Sequence, residues 1–216
     1  MTFTVCVPLS AVAQVPVPDG YSEAMGWYRK AAEAGDPKAM FYLGLTLEQG
    51  LQGEAQPETA LKWYRRSAAL GYSLAEFKLG LLYQFGHAVE RDAALARAWY
   101  EKAAGQGMPD AKFNLAYLLE VGEGGAADFG RAVRLYKEAA RAGIAEAYLN
   151  LGNLFSRPSR ENEQDMIEAL KWLTLAQSKG LTEADTLAAQ VRELLSPIEV
   201  REAQARARRW TEGLSD

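Results

Sequence analysis

One cysteine and one histidine, Cys6 and His87, are all that 216 residues contain of two side chains heavily used in metal sites and catalysis. A single cysteine excludes an intrachain disulfide framework and any cysteine-based zinc cluster. A single histidine excludes the HExxH arrangement and every site that needs two imidazoles. No apolar run approaches the ~18 residues read as a membrane-spanning helix. Positive charge is not in surplus either. The chain has 24 Lys and Arg against 28 Asp and Glu, a net charge of −4, so bulk charge gives no reason to expect nucleic acid. G-x-S-x-G, P-loop and EF-hand patterns are missing as well. What remains, 49% apolar and 24% charged, suits one domain or one extended array.

Residues 3–13 read FTVCVPLSAVA and end in Ala11-Val12-Ala13 before Gln14, which resembles the tail of a secretory signal peptide with its cleavage site. No Lys or Arg precedes this run and Pro8 interrupts it, so an unstructured apolar N-terminus is the alternative. Phe3-Thr4-Val5, ahead of Cys6, lack the small residue that a lipid-attachment site needs. Residues 1–19 are therefore expected to be a signal-peptide remnant and linker. That reading places the mature chain in the periplasm or outside the cell, with the cytoplasm as alternative.

Self-similarity dominates the rest. The pairs Trp27-Tyr28, Trp63-Tyr64, Trp99-Tyr100, Leu135-Tyr136 and Trp172-Leu173 follow one another at steps of 36, 36, 36 and 37 residues. Three residues before each pair stands an alanine, from Ala24 to Ala169, and eight after its first member a glycine, from Gly35 to Gly180. Leu43-Gly44, Leu79-Gly80, Leu115-Ala116 and Leu151-Gly152 keep the same step. A fixed period of this size means a stacked solenoid, with units near 20–55, 56–91, 92–127, 128–164 and 165–195.

Each unit decodes as two helices. Asp92, Asp128 and Asp165 precede the first helix as N-caps, and Gln56-Pro57 takes that place in the second unit. Counting from the first member of the pair, positions −3, 0, +1, +4 and +5 form one apolar stripe, and the +8 glycine ends the helix. A Trp and a Tyr are too much for two short helices to hide alone, so one ring is expected on its own hairpin and the other on a neighbour. A mid-helix glycine costs about 1 kcal/mol of helix propensity, so Gly44, Gly80 and Gly152 read as packing devices, with alanines expected opposite them. After Leu194-Leu195, Ser196-Pro197-Ile198-Glu199 is a capping box opening a last helix in 196–216. With Ile198, Val200, Ala203, Ala205 and Trp210 it is expected to seal the end of the stack.

The string A-x-x-W-Y-x-x-A-A-x-x-G-x-x-x-A-x-x-x-L-G, present as Ala60–Gly86 and with Ala116 for the final Gly in Ala96–Gly122, resembles the Sel-one-like repeat, an α/α solenoid related to the tetratricopeptide repeat. The resemblance covers about residues 20–190. Unit four departs with Leu135 for Trp and Pro158 for the closing Gly, and unit five has lost its Tyr and its Leu-Gly. The resemblance implies an all-α superhelix of about five helix hairpins with a C-terminal capping helix, acting as a non-catalytic protein-interaction scaffold. Some cysteine-rich bacterial members have been linked to β-lactams, which implies the alternative of an envelope enzyme or binder for cell-wall substrates. This chain lacks their cysteine pairs.

Little chemistry competes with that reading. Gly122-Glu123-Gly124-Gly125-Ala126-Ala127 follows a helix, not a strand, and reads as an inter-repeat loop. His87 reads as a solvated loop residue, and Glu161, Glu163 and Asp165 as a solvated turn. No cofactor or metal is expected. With the stripe turned inward, positions −1, +2, +3 and +6 face out, and in the resembled family that side of the first helix lines the concave groove. Those positions hold Arg29, Lys30, Lys62, Arg65, Arg66, Lys102, Arg134, Lys137, Arg141 and Lys171 against only Glu33, Glu101 and Glu138. Two readings stay open: a groove for an acidic or extended peptide, or a solvated, salt-bridged face. The partner and the oligomeric state are not legible.

Overall fold

The computed structural model describes residues 21–51, 53–157 and 165–213, and only the backbone of 21–24. The signal-like segment, Pro158, Glu161 and Glu163 lie outside the described residues. Among the described residues there are eleven helices and no strand. They are α1 (Tyr21–Glu33), α2 (Pro37–Gln49), α3 (Pro57–Ala69), α4 (Ser73–Phe85), α5 (Ala93–Gly105), α6 (Pro109–Val121), α7 (Phe129–Arg141), α8 (Glu146–Ser156), α9 (Met166–Ser178), α10 (Glu183–Glu193) and α11 (Pro197–Thr211). They fall into two compact units, α1–α6 within Val7–Ala127 and α7–α11 within Asp128–Asp216.

Local chemistry sets the helix ends. Asp92, Asp128 and Asp165 each accept a hydrogen bond from a backbone N–H three residues on, at 2.8–2.9 Å. Asp36 does the same for α2 at 2.7 Å. Gln56 makes no side-chain cap, and Pro57 alone starts α3. Between paired helices the chain turns through the +8 glycine at positive φ, 79° at Gly71 and 101° at Gly143, a region that penalises any Cβ.

The inward stripe is centred on the tyrosine. Tyr64, Tyr100 and Tyr136 are at most 1% exposed, flanked by buried Ala60, Ala68, Ala96, Ala103, Ala132 and Ala139. The tryptophan sits at the edge of that core rather than inside it: Trp27 is 61% exposed, while Trp63 and Trp99 are half-buried and pack against the core clusters. One residue is about 100° of helical turn, so a Trp beside a central Tyr sits on the rim of the stripe. Alanines do not stand opposite the mid-helix glycines either; rings do. A methyl built on Gly44 would meet Tyr64 Cε1 at 2.6 Å, and one on Gly80 would meet Tyr100 Cδ1 at 2.5 Å. In the C-terminal unit Leu173 takes the seat against Gly152, its Cγ 2.6 Å from such a methyl. The glycine of one second helix thus receives the bulky side chain of the next first helix.

Each buried phenol also needs a partner. Tyr64 donates to Glu48 Oε2 at 2.8 Å, and the nearly buried Lys78 pairs with the same oxygen at 2.8 Å. Burial, reinforced by the Glu48 carboxylate, pushes the Tyr64 phenol far above its usual range. One period on, Tyr100 donates to Gln84 Oε1 at 2.6 Å, and Asn114 stands at the counterpart of Lys78.

The capping box of α11 is present: Ser196 N–H donates to Glu199 Oε2 at 2.8 Å, and Ser196 Oγ accepts from Glu199 N–H at 3.4 Å. Its placement differs from the expectation. Ala203 and Ala207 are buried, Ile198 is 71% exposed, and the main packing is on α9 rather than over α10 at the end of the stack. The polar end comes from α10 itself, whose Asp185, Thr186, Gln190 and Glu193 are exposed. With no further first helix to seat, α10 needs no Leu-Gly.

Candidate functional site

The outward faces of the first helices carry the cations. In the N-terminal unit Arg29, Lys30, Lys62, Arg65, Arg66 and Lys102 are all exposed. Two of them are held by the rim tryptophans: the Arg66 guanidinium lies 4.4 Å from the Trp63 ring centre and Lys102 Nζ 3.9 Å from that of Trp99. Positions 0 and +3 are neighbours on a helix surface, so this pairing follows from the repeat. A cation over an indole at an exposed site is worth about 0.5–1 kcal/mol, enough to bias a rotamer while leaving the charge free to bind. Arg65 instead donates to Tyr83 Oη at 2.8 Å, beside a pocket of about 570 Å³ lined by Leu61, Val89, Asp92 and Leu95 among others.

Acids do little to neutralise this face. Among the described residues, Arg29, Lys30, Lys62, Arg66 and Lys102 form no ion pair. Glu101, the acid nearest in register, sits 3.8 Å from Arg97 Nε. Glu33 is exposed.

The C-terminal unit differs. Arg134 and Arg141 are exposed and Lys137 is half-buried. Arg141 lies 4.4 Å from the Trp210 ring centre, and Lys137 Nζ 5.6 Å from that of Trp172. Lys171 does not belong to any exposed row, contrary to the sequence reading. It is 0% exposed, with its ammonium 3.5 Å from Glu168 Oε2, 4.5 Å from the Trp172 ring centre and 5.7 Å from that of Trp210. The cause is α11, which covers that face of α9.

The rim tryptophans, of which Trp27 is exposed and Trp63 and Trp99 are half-buried against the core, are the residues that the sequence reading placed wholly inside. The sign pointing to them was the repeated Trp-x-x-Lys/Arg spacing: Trp27 with Lys30, Trp63 with Arg66, Trp99 with Lys102. Elsewhere, His87 is exposed on the loop after α4, its ring centre 6.2 Å from that of Phe85. Among the described residues no three His, Cys, Asp or Glu side chains gather closely enough to hold a metal ion, and no helix is long and apolar enough to cross a membrane.

Comparison with known proteins agrees with this geometry. The Sel1 repeat model matches residues 14–36, 37–72, 73–108, 109–144 and 145–181. Segments 37–72, 73–108 and 145–181 each join a second helix to the following first helix, the pair that shares a seat on a mid-helix glycine. Among solved structures, a Sel1 repeat protein from Oxalobacter formigenes is 29% identical with a TM-score of 0.72, covering 79% of this chain and 70% of its own. The protective antigen c5321 of uropathogenic Escherichia coli, which displays an SLR fold, is 26% identical with a TM-score of 0.54, covering 89% of this chain and 49% of its own. No curated protein matches. With five repeats matched between residues 14 and 181, the chain belongs to the Sel1 repeat family.

Proposed function

We propose that this chain is a non-catalytic adaptor that captures an acidic protein segment on the basic first-helix faces, and that it works in the periplasm or outside the cell. Sel1 repeat proteins generally mediate protein–protein interaction, which supports the adaptor reading. The observation that carries the acidic partner is local. On a chain of net charge −4, the first helices of the N-terminal unit expose six cations, none of which forms an ion pair among the described residues, and the rings of Trp63 and Trp99 hold two of the six. Export rests on the signal-like run ending at Ala13.

Exposed charge pairs are screened over about 8–10 Å at physiological salt, so capture of a short glutamate-rich peptide weakens steeply as salt is raised. Reversing Lys62, Arg66 and Lys102 together to glutamate abolishes that capture and leaves the helical circular dichroism unchanged. Normal affinity in the triple variant overturns the assignment. N-terminal sequencing tests export: a mature chain starting at Gln14 supports it, and an intact chain confined to the cytosol overturns it.

A further inference from the structure

The C-terminal unit carries its own worked example of an occupied first-helix face. Positions −1, 0 and +3 are exposed or on the rim in α3 (Lys62, Trp63, Arg66) and α5 (Ala98, Trp99, Lys102). In α9 the same positions, Lys171, Trp172 and Leu175, are at most 2% exposed. What covers them is a helix. α11 seats Ala203 and Ala207 on α9, sets the edge of Trp210 against Trp172 at 4.7 Å and 79°, and sends Arg206 to Glu168 at 3.0 Å. Ala203, Ala207 and Trp210 fall at i, i+4 and i+7, one stripe of an amphipathic helix. One charge contact anchors it, Arg206 of α11 on Glu168 near the start of α9, while the Trp210 ring centre lies 4.4 Å from the Arg141 guanidinium and 5.7 Å from Lys171 Nζ.

We infer that the first-helix face of the N-terminal unit takes an acidic amphipathic helix of a partner protein, seated as α11 is seated on α9. The inference rests on the adaptor reading above and adds the form of the occupant. Small residues of the incoming helix pack on the helix face, and an aromatic one turn on meets a rim tryptophan. Trp27, at 61% exposure, is the largest such anchor left open. Acids on the incoming helix meet Lys62, Arg66 and Lys102, where α9 by contrast has Lys171 and Leu175 buried and Glu168 as the contact. A second copy of α11 finds no acid for its Arg206, because Thr59 and Leu95 stand in α3 and α5 where α9 has Glu168. Helix-in-groove recognition of this type is read through anchors at i, i+4 and i+7.

The test uses the full chain and a labelled peptide of the sequence Ser196–Thr211 carrying Arg201→Glu, Arg206→Glu, Arg208→Glu and Arg209→Glu. Two further peptides add Ala205→Pro, which keeps the charge and breaks the helix, or Trp210→Ala. The acidic peptide is expected to bind at least about tenfold more tightly than either, the range of a single anchoring side chain. The unmodified basic peptide is expected not to bind. Arg66→Glu with Lys102→Glu in the full chain is expected to abolish binding. Equal affinity of the Ala205→Pro peptide overturns the helical form and leaves acidic capture standing. Equal affinity of the Trp210→Ala peptide overturns the aromatic anchor, and binding by the basic peptide overturns the charge match. Failure of every acidic peptide overturns both readings.

Discussion

The ring of Tyr100 occupies the space that a side chain at position 80 would need: a methyl on Gly80 would stand 2.5 Å from both Cδ1 and Cε1. Gly80→Ala therefore sets two effects against each other. Alanine gains up to about 1 kcal/mol of helix propensity, and overpacking a tight core costs about 1–3 kcal/mol. Because the clash is with a fully buried ring, the cost wins, and the urea midpoint is expected to fall. Gly105→Ala is the control: it lies at the end of α5 with no heavy atom within 4 Å of the added methyl, and is expected to stabilise. Equal effects at the two positions contradict the seat.

Glu48 and Lys78 form a charged pair under Tyr64, and one period later the same two positions hold Gln84 and Asn114. Glu48→Gln or Lys78→Asn alone breaks the pair and is expected to cost about 1–3 kcal/mol, below the range for a fully buried pair because Glu48 is 24% exposed. Made together they install the two residue types found one repeat on. The double variant is expected to be more stable than the sum of the singles by about 1 kcal/mol or more, measured as a double-mutant cycle in urea. Simple additivity contradicts the coupling.

Acid is expected to loosen α11 first. Hydrogen bonds from the Ser196 hydroxyl and backbone N–H hold the Glu199 carboxyl below the usual range, and the Arg206 guanidinium does the same for Glu202. Both folded-state pKa values are depressed, so the stability they give is present above the ordinary carboxylate range and is lost as pH falls through the folded values. The near-ultraviolet dichroism of the Trp172–Trp210 pair should fade on acidification before the bulk helical signal does. Simultaneous loss of the two signals contradicts this order.

Trp210→Ala removes the edge-on partner of Trp172 and the indole N–H that donates to Tyr148 Oη at 3.4 Å. The ring is only half-buried, so the expected cost is about 2 kcal/mol rather than the larger loss of a fully buried tryptophan. Trp172 emission should shift to the red as its ring meets water. An unchanged spectrum would mean that α11 does not depend on this contact.

Period, helix frame and caps were legible because each is local chemistry: Asp92 and Asp128 bond backbone a few residues away, and Gly71 or Gly143 is needed where φ turns positive. The family could be read from the same residues. Trp172 is buried as read, but Trp27, Trp63 and Trp99 were placed too deep because a stripe defined by types alone does not say which of two adjacent rings is central. Tyr64 and Tyr100 took the middle, having both a glycine seat and a hydroxyl partner on the preceding helix. Lys171 was misplaced for a different reason. Its burial depends on α11, some thirty residues on, and no periodicity within α9 reports what a later helix covers.

The five tryptophan indole N–H signals give the most direct reading of which face recognises the partner. Titrating the full chain with the acidic helical peptide is expected to shift the resonances of Trp27, Trp63 and Trp99 and to leave those of Trp172 and Trp210 in place. Saturable binding with the first three unmoved, or with only Trp172 and Trp210 displaced, would contradict the assignment of recognition to the rim of the first helices.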